Sequence, residues 1–354
     1  MSHDQDQERP RATPRGRRPG LGNVVVLAAS ALALFVVGSI WLALFPPVIA
    51  DLGGAPDLDA VATRVRIPIG DDALSGWLVP GSRPALVIVF HGYARDHRRA
   101  WRYASFLHRA GYSVLAVDFR SSRERGRKPT TLGVYEMQDA TATLAWARRN
   151  PRTRDDTLGL LGESLGASVA LVLAARHPEV AAVVADCPFA SGEWAMEDGA
   201  MIKLHLPKWP TAVLGRGLGR LLTGADPWGL DVAAAADSLQ DRPVFLIHAQ
   251  GDDRFSTEQT EAIWRAAGSH GELWLAGGDH NQAWQRHRTE YERRVLAFFA
   301  RSLNGSPHHP VGESVAGAAR DGTKPAGSRR GAAGAGTVTQ GHAGGAAMGK
   351  VRGQ

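Results

Sequence analysis

The chain has one cysteine, Cys187, among its 354 residues. A single thiol closes no intramolecular disulfide and builds no cysteine-based metal centre, and it leaves the redox compartment open. Charge of one sign is also missing from the part that can fold. Residues 46–303 carry thirty basic and thirty acidic groups. The net +6 comes from the ends, with five basic against three acidic residues in 1–45 and six against two in 304–354. A neutral middle gives no electrostatic footprint for nucleic acid, so that partner class is set aside. Internal repeats are absent too.

What the sequence does hold begins with an uncharged run, residues 24–45. As a helix these 22 residues would reach ~33 Å, against ~30 Å of bilayer hydrocarbon. Arg9, Arg11, Arg15, Arg17 and Arg18 precede the run, and Asp51, Asp57 and Asp59 follow it. The positive-inside rule then predicts a single-pass signal anchor in the cell membrane, with residues 1–23 cytoplasmic and everything downstream outside. Cleavage after Val48-Ile49-Ala50, giving a secreted protein, is the rival reading. Its apolar region would exceed the ~7–15 residues usual for secretory signals. A buried core helix would carry a polar stripe, and only Ser30 and Ser39 interrupt this run.

Residues 304–354 are rich in Gly, Ala and Ser and poor in large apolar side chains, so the sequence predicts a disordered tail. Residues 46–60 read as a linker that carries the domain away from the bilayer. Between them, residues 61–303 alternate short β-rich runs with longer helical ones. That alternation predicts an α/β fold, a mostly parallel sheet flanked by helices. Strands are expected at 61–69, 74–79, 85–90, 113–117, 157–161, 181–185, 243–247 and 272–275, the last six as buried parallel strands. Residues 189–239 break the rhythm and read as an inserted cap.

The chemistry centres on Gly162-Glu163-Ser164-Leu165-Gly166. Alone, a Gly-x-Ser-x-Gly match is weak, but here a strand run leads in and an Ala/Leu/Val-rich helix leads out, the setting of a nucleophile elbow. A serine hydroxyl needs a base, and the base needs an orienting carboxylate. Chain order nominates His280, after the last strand, and Asp252, after the strand before it, with Asp253 as the alternative acid. Backbone amides of Leu165 and Tyr93 are the expected oxyanion donors. His91 and His248 read as structural histidines, and Asp279 as a turn residue.

These residues resemble the α/β-hydrolase superfamily. The resemblance is carried by His91-Gly92, Asp118-Phe119-Arg120, Thr131 to Glu136, the elbow, Asp186 to Ser191, Asp252 and His280. The branch most similar to the chain is that of bacterial membrane-anchored esterase/lipase-like proteins related to serine aminopeptidases and monoacylglycerol lipases. The resemblance implies an α/β-hydrolase fold and a serine esterase that cleaves a small-molecule or lipid acyl ester through an acyl-enzyme, with no metal or organic cofactor. An acyltransferase or amidase using the same triad, and a silent membrane-anchored binding protein, are the alternatives. Arg120 to Gly126, Ala249 and Ser256 depart from the residues common in relatives, and none of these is a reacting group.

Overall fold

The computed structural model describes residues 21–49, 58, 61–122, 128–203, 205, 207–239 and 241–304. The N-terminal stretch before residue 21, most of the expected linker, the charged residues 123–127 and the expected tail fall outside these residues.

Helix α1, Leu21–Leu44, is among the described residues the one helix long and apolar enough to cross a membrane. Its 24 residues span ~36 Å. It does not end in open space. The last carbonyls of a helix have no partner within it, and here the domain supplies donors: the Tyr93 hydroxyl to Ala43 O at 2.8 Å, and the Thr130 amide to Leu44 O at 2.9 Å. Just beyond, Pro46 is buried and the Ile49 amide donates to Ala94 O at 2.9 Å. The first residues of the expected linker therefore lie against the domain.

The sheet has eight strands: β1 Thr63–Ile69, β2 Asp72–Val79, β3 Ala85–Phe90, β4 Ser113–Val117, β5 Thr157–Glu163, β6 Val180–Asp186, β7 Val244–Ala249 and β8 Gly271–Ala276. Their order is β1-β2-β4-β3-β5-β6-β7-β8. The first two pairings, β1 with β2 and β2 with β4, are antiparallel, and all later ones are parallel. Every residue of β3, β4 and β7 is buried, as continuous apolar runs require of strands covered on both faces. The run at 272–275 departs from its expected burial. As β8 it is an edge strand, and Glu272 and Leu275 face solvent.

Helices α2 His97–Arg109, α3 Val134–Arg149, α4 Leu165–Arg176, α5 Gly192–Asp198, α6 Lys208–Thr223, α7 Val232–Asp237, α8 Thr257–Ala267, α9 Ala283–Arg286 and α10 Arg288–Ser302 complete the order. Two apolar cores result. One packs α3, α4, α7 and α8 on one face of the sheet, and the other packs α2 and α10 on the opposite face. The segment expected as a cap forms α5, α6 and α7 between β6 and β7. Tyr135 of α3 donates its hydroxyl to Thr223 O at 2.6 Å, and so ties α6 to the body of the domain.

Candidate active site

The strand β5 passes into α4 through one residue, Ser164, held at φ 54° and ψ −118°. A positive φ is unfavourable for any side chain with a Cβ and costs about 1–3 kcal/mol, so surrounding structure must impose it. The Ser164 amide donates to Asp186 O of the neighbouring strand at 2.7 Å, which fixes the turn from one side. Glycine makes the other side possible. A Cβ on Gly162 would lie 2.2 Å from Gly166 O, and one on Gly166 would lie 2.3 Å from Phe90 O. Of the five other described non-glycine residues with positive φ, Ala94, Leu132, Cys187 and Asn281 occur in the loops that follow β3, β6 and β8 and precede α3, and His205 lies between α5 and α6. Most of this backbone strain gathers at one edge of the sheet.

The structure brings Ser164, His280 and Asp252 together. His280 Nε2 stands 2.9 Å from Ser164 Oγ, and His280 Nδ1 stands 2.6 Å from Asp252 Oδ2. Asp252 is placed by its own turn, where its other oxygen accepts the amides of Arg254 at 2.8 Å and Phe255 at 3.0 Å. Burial would push this carboxyl up; the His280 hydrogen bond and charge and the two amides outweigh it and hold it below its ordinary 3.8. Phe255 also closes edge-on against the His280 ring, with centroids 5.3 Å apart. Asp253, the alternative acid, is half exposed beside Arg254, and Asp279 is exposed in its turn.

The two histidines expected to be structural, His91 and His248, sit where they hold structure. His91 is buried; its Nδ1–H donates to Gly92 O at 2.8 Å while Nε2 accepts from the Phe119 amide at 3.2 Å. Burial lowers its pKa, which fits a neutral ring bracing the loop after β3. His248 is also fully buried, with Nδ1 2.8 Å from Thr260 Oγ1 and Nε2 3.9 Å from Asp252 Oδ2, and burial lowers its pKa as well. The lone Cys187 brings its sulfur within 4.8 Å of ligand atoms of Asp252 and His280, a grouping the cysteine count did not suggest. His280 Nδ1 and Asp252 Oδ2 in that group are bonded to each other, and burial pushes the thiol pKa far up.

Sequence reasoning missed the polar network beneath the elbow. Glu163, the variable residue of the motif itself, is 1% exposed and lies between Arg99 Nε at 2.8 Å, Tyr103 Oη at 2.7 Å and Asn281 Nδ2 at 3.1 Å. Burial pushes its carboxyl up, but Arg99 and Arg102 win and hold it at about 2. Neighbouring Asp186 goes the other way, to about 6, through burial and the Glu163 charge. One signal was available: a carboxylate ending an apolar buried strand must find a cation or hydrogen-bond donors, or have its pKa raised, and Glu163 and Asp186 take different routes.

Above Ser164 lies a cavity of about 450 Å³, lined by Leu165, Tyr93, Leu132, Phe189, Met196 and Phe255 among others. The two expected oxyanion donors, Leu165 and Tyr93, therefore border the same space as the serine. The Leu165 amide is the first of α4, where no intrahelical acceptor exists. The wall at Thr130 to Leu132 is fixed by Glu136, fully buried, which accepts from Thr130 Oγ1 at 2.7 Å and the Gly133 amide at 2.9 Å.

Residues 79–228 match the X-Pro dipeptidyl-peptidase family (S15). The chain is similar to uncharacterized protein Rv2307c of Mycobacterium tuberculosis, 30% identical over 249 residues, which cover 69% of this chain and 81% of that one. Among solved structures it is similar to an esterase of Pyrococcus furiosus, with a TM-score of 0.61 at 28% identity, covering 74% of this chain and 98% of the other. The chain belongs to the α/β-hydrolase superfamily. The esterase YjfP of Escherichia coli is a further relative, 25% identical over 193 residues, or 52% of this chain and 75% of its own. For an α/β-hydrolase, the serine on a strand-to-helix turn and the acid and histidine after later strands stand in the order Ser, Asp, His.

Proposed function

We propose that this serine hydrolase cleaves a carboxylic ester with an apolar acyl group, using Ser164 as nucleophile, His280 as base and Asp252 as the acid that orients it. The observation that carries the reading is the unbroken chain of hydrogen bonds Asp252–His280–Ser164 opening into an apolar cavity. His280 takes the Ser164 proton as Oγ attacks the carbonyl carbon, and the Leu165 and Tyr93 amides receive the oxyanion. The proton returns to the departing alcohol oxygen. Water, deprotonated by the same imidazole, then releases the acid and restores the serine.

The family match favours a second reading, cleavage of a peptide after its second residue. Such a site needs an anion for the substrate's free ammonium. Among the described residues that line the cavity, the charged one is Arg254, a cation, which repels that group. The lining thus supports an ester over an aminopeptidase substrate. Helix α1 is read as a signal anchor that holds the domain outside the cell membrane, on its length, its lack of charge and the arginines before it.

A fluorophosphonate probe should label the wild-type chain and leave Ser164→Ala unlabelled. p-Nitrophenyl esters should be turned over faster than X-Pro amides. Equal labelling of both proteins would refute the nucleophile, and faster amide cleavage would refute the substrate class.

A further inference from the structure

The cavity above Ser164 is walled partly by α1: Ile40, Ala43 and Leu44 line it, together with Gly215, Gly219 and Thr223 of α6. The last turn of a helix read as membrane-spanning is thus part of the pocket. On the ~36 Å of this helix, against ~30 Å of hydrocarbon, that turn falls at the outer boundary of the bilayer. Helix α6 contacts α1, and its Gly215, Gly219 and Thr223 border the same pocket as that turn.

Helix α6 has two faces. Ala212, Gly215, Gly219 and Thr223 fall on the side toward the pocket. Opposite them Leu214 and Leu221 project outward, 58% and 79% exposed, Val213 and Leu222 are exposed on the flanks, and Trp209 at the start of the helix is 76% exposed. In water such a row is costly. Lys208 and Arg220 border it, and the segment has no acidic residue. An apolar face with tryptophan at its end and basic residues at its border is the pattern of a helix lying in a membrane interface.

We propose that the outer face of α6 is seated in the bilayer and that the pocket opens sideways into lipid between α6 and the end of α1. The substrate is then a long-chain acyl ester resident in the membrane, whose chain reaches Ser164 without crossing water. This rests on the ester-hydrolase and anchor readings above and names their substrate class.

The test uses the full chain reconstituted into phosphatidylcholine–phosphatidylglycerol vesicles. Leu221→Cys carries an environment-sensitive fluorophore, and native Cys187, which is fully buried, does not compete for it. Lipids brominated on their acyl chains should quench the label and aqueous iodide should not. Quenching by iodide alone, or a disulfide between two copies at this position, overturns the proposal. In a second arm, Leu214→Glu with Leu221→Glu should lower turnover of a vesicle-borne long-chain p-nitrophenyl ester about tenfold while p-nitrophenyl acetate stays within about twofold. Equal loss on both esters, or no loss on either, overturns it. If the wild-type chain takes no fluorophosphonate and hydrolyses neither ester, the hydrolase reading fails, and the quenching arm still decides whether α6 sits in lipid.

Discussion

Two regions meet at Ser164, and they are built from opposite materials. Below it, Glu163, Arg99, Tyr103, Asp186 and Tyr291 form a charged network sealed from water. Above it, the pocket is assembled from apolar side chains and glycines contributed by α1, α6 and the loop before α3. Charges removed from water tolerate little displacement, because each must keep its partner to offset desolvation. Apolar contacts are non-directional and can re-form around a different occupant. The floor is suited to holding geometry and the roof to selecting what enters.

The difference predicts three effects of decreasing size. Asp252→Asn, which keeps the shape of the side chain but misorients the imidazole held between floor and roof, should lower kcat about 10⁴-fold, while Asp253→Asn stays within about twofold. Ester turnover by the purified variants measures both, and an equal response would break the distinction between the two acids. Next, Arg99→Ala strands a buried carboxylate and should destabilise the fold by about 3–5 kcal/mol in thermal or denaturant unfolding. The Glu163 carboxyl sits at about 2 when folded, against an ordinary 4.5. Its contribution is therefore present above about 4.5 and fades as pH falls toward about 2, so the deficit of Arg99→Ala should shrink over that window. A deficit independent of pH would show that Arg99 acts through packing alone.

The smallest effect belongs to the roof. A Cβ on Gly219 meets nothing within 4 Å, so Gly219→Leu can place its side chain in the cavity. Leucine also suits a helix better than glycine. The variant should keep its melting temperature while kcat/KM for long-chain esters falls about tenfold relative to acetate. A lowered melting temperature with unchanged chain-length preference would erase the contrast between floor and roof.

How far the sequence could reach follows the range of each interaction. The strands β3, β4 and β7 and the elbow were legible because burial on both faces writes an unbroken apolar run, and a tight turn writes glycine at fixed spacing. The run at 272–275 misled, because an apolar stretch does not say whether a second strand will flank it. The Glu163 network was hidden for a different reason: Arg99 lies 64 residues before its partner and Asn281 118 after it. Nor does hydropathy say what a helix end touches. The segment 24–45 reads as a membrane span whatever its last carbonyls bind, so its docking onto Tyr93 and Thr130 could not be foreseen.

Those two hydrogen bonds alter what an amputation would mean. The donors at Tyr93 and Thr130 belong to the loops that flank the nucleophile and wall its pocket, and their acceptors belong to the N-terminal helix. Cutting the chain after residue 45 to obtain a more soluble protein would remove a wall of the pocket and leave both loops facing water. Exchange of this helix for that of an unrelated protein would replace Ile40, Ala43 and Leu44 as well. Leader and hydrolase are therefore bound to change together, as parts of one machine rather than a tool and its handle.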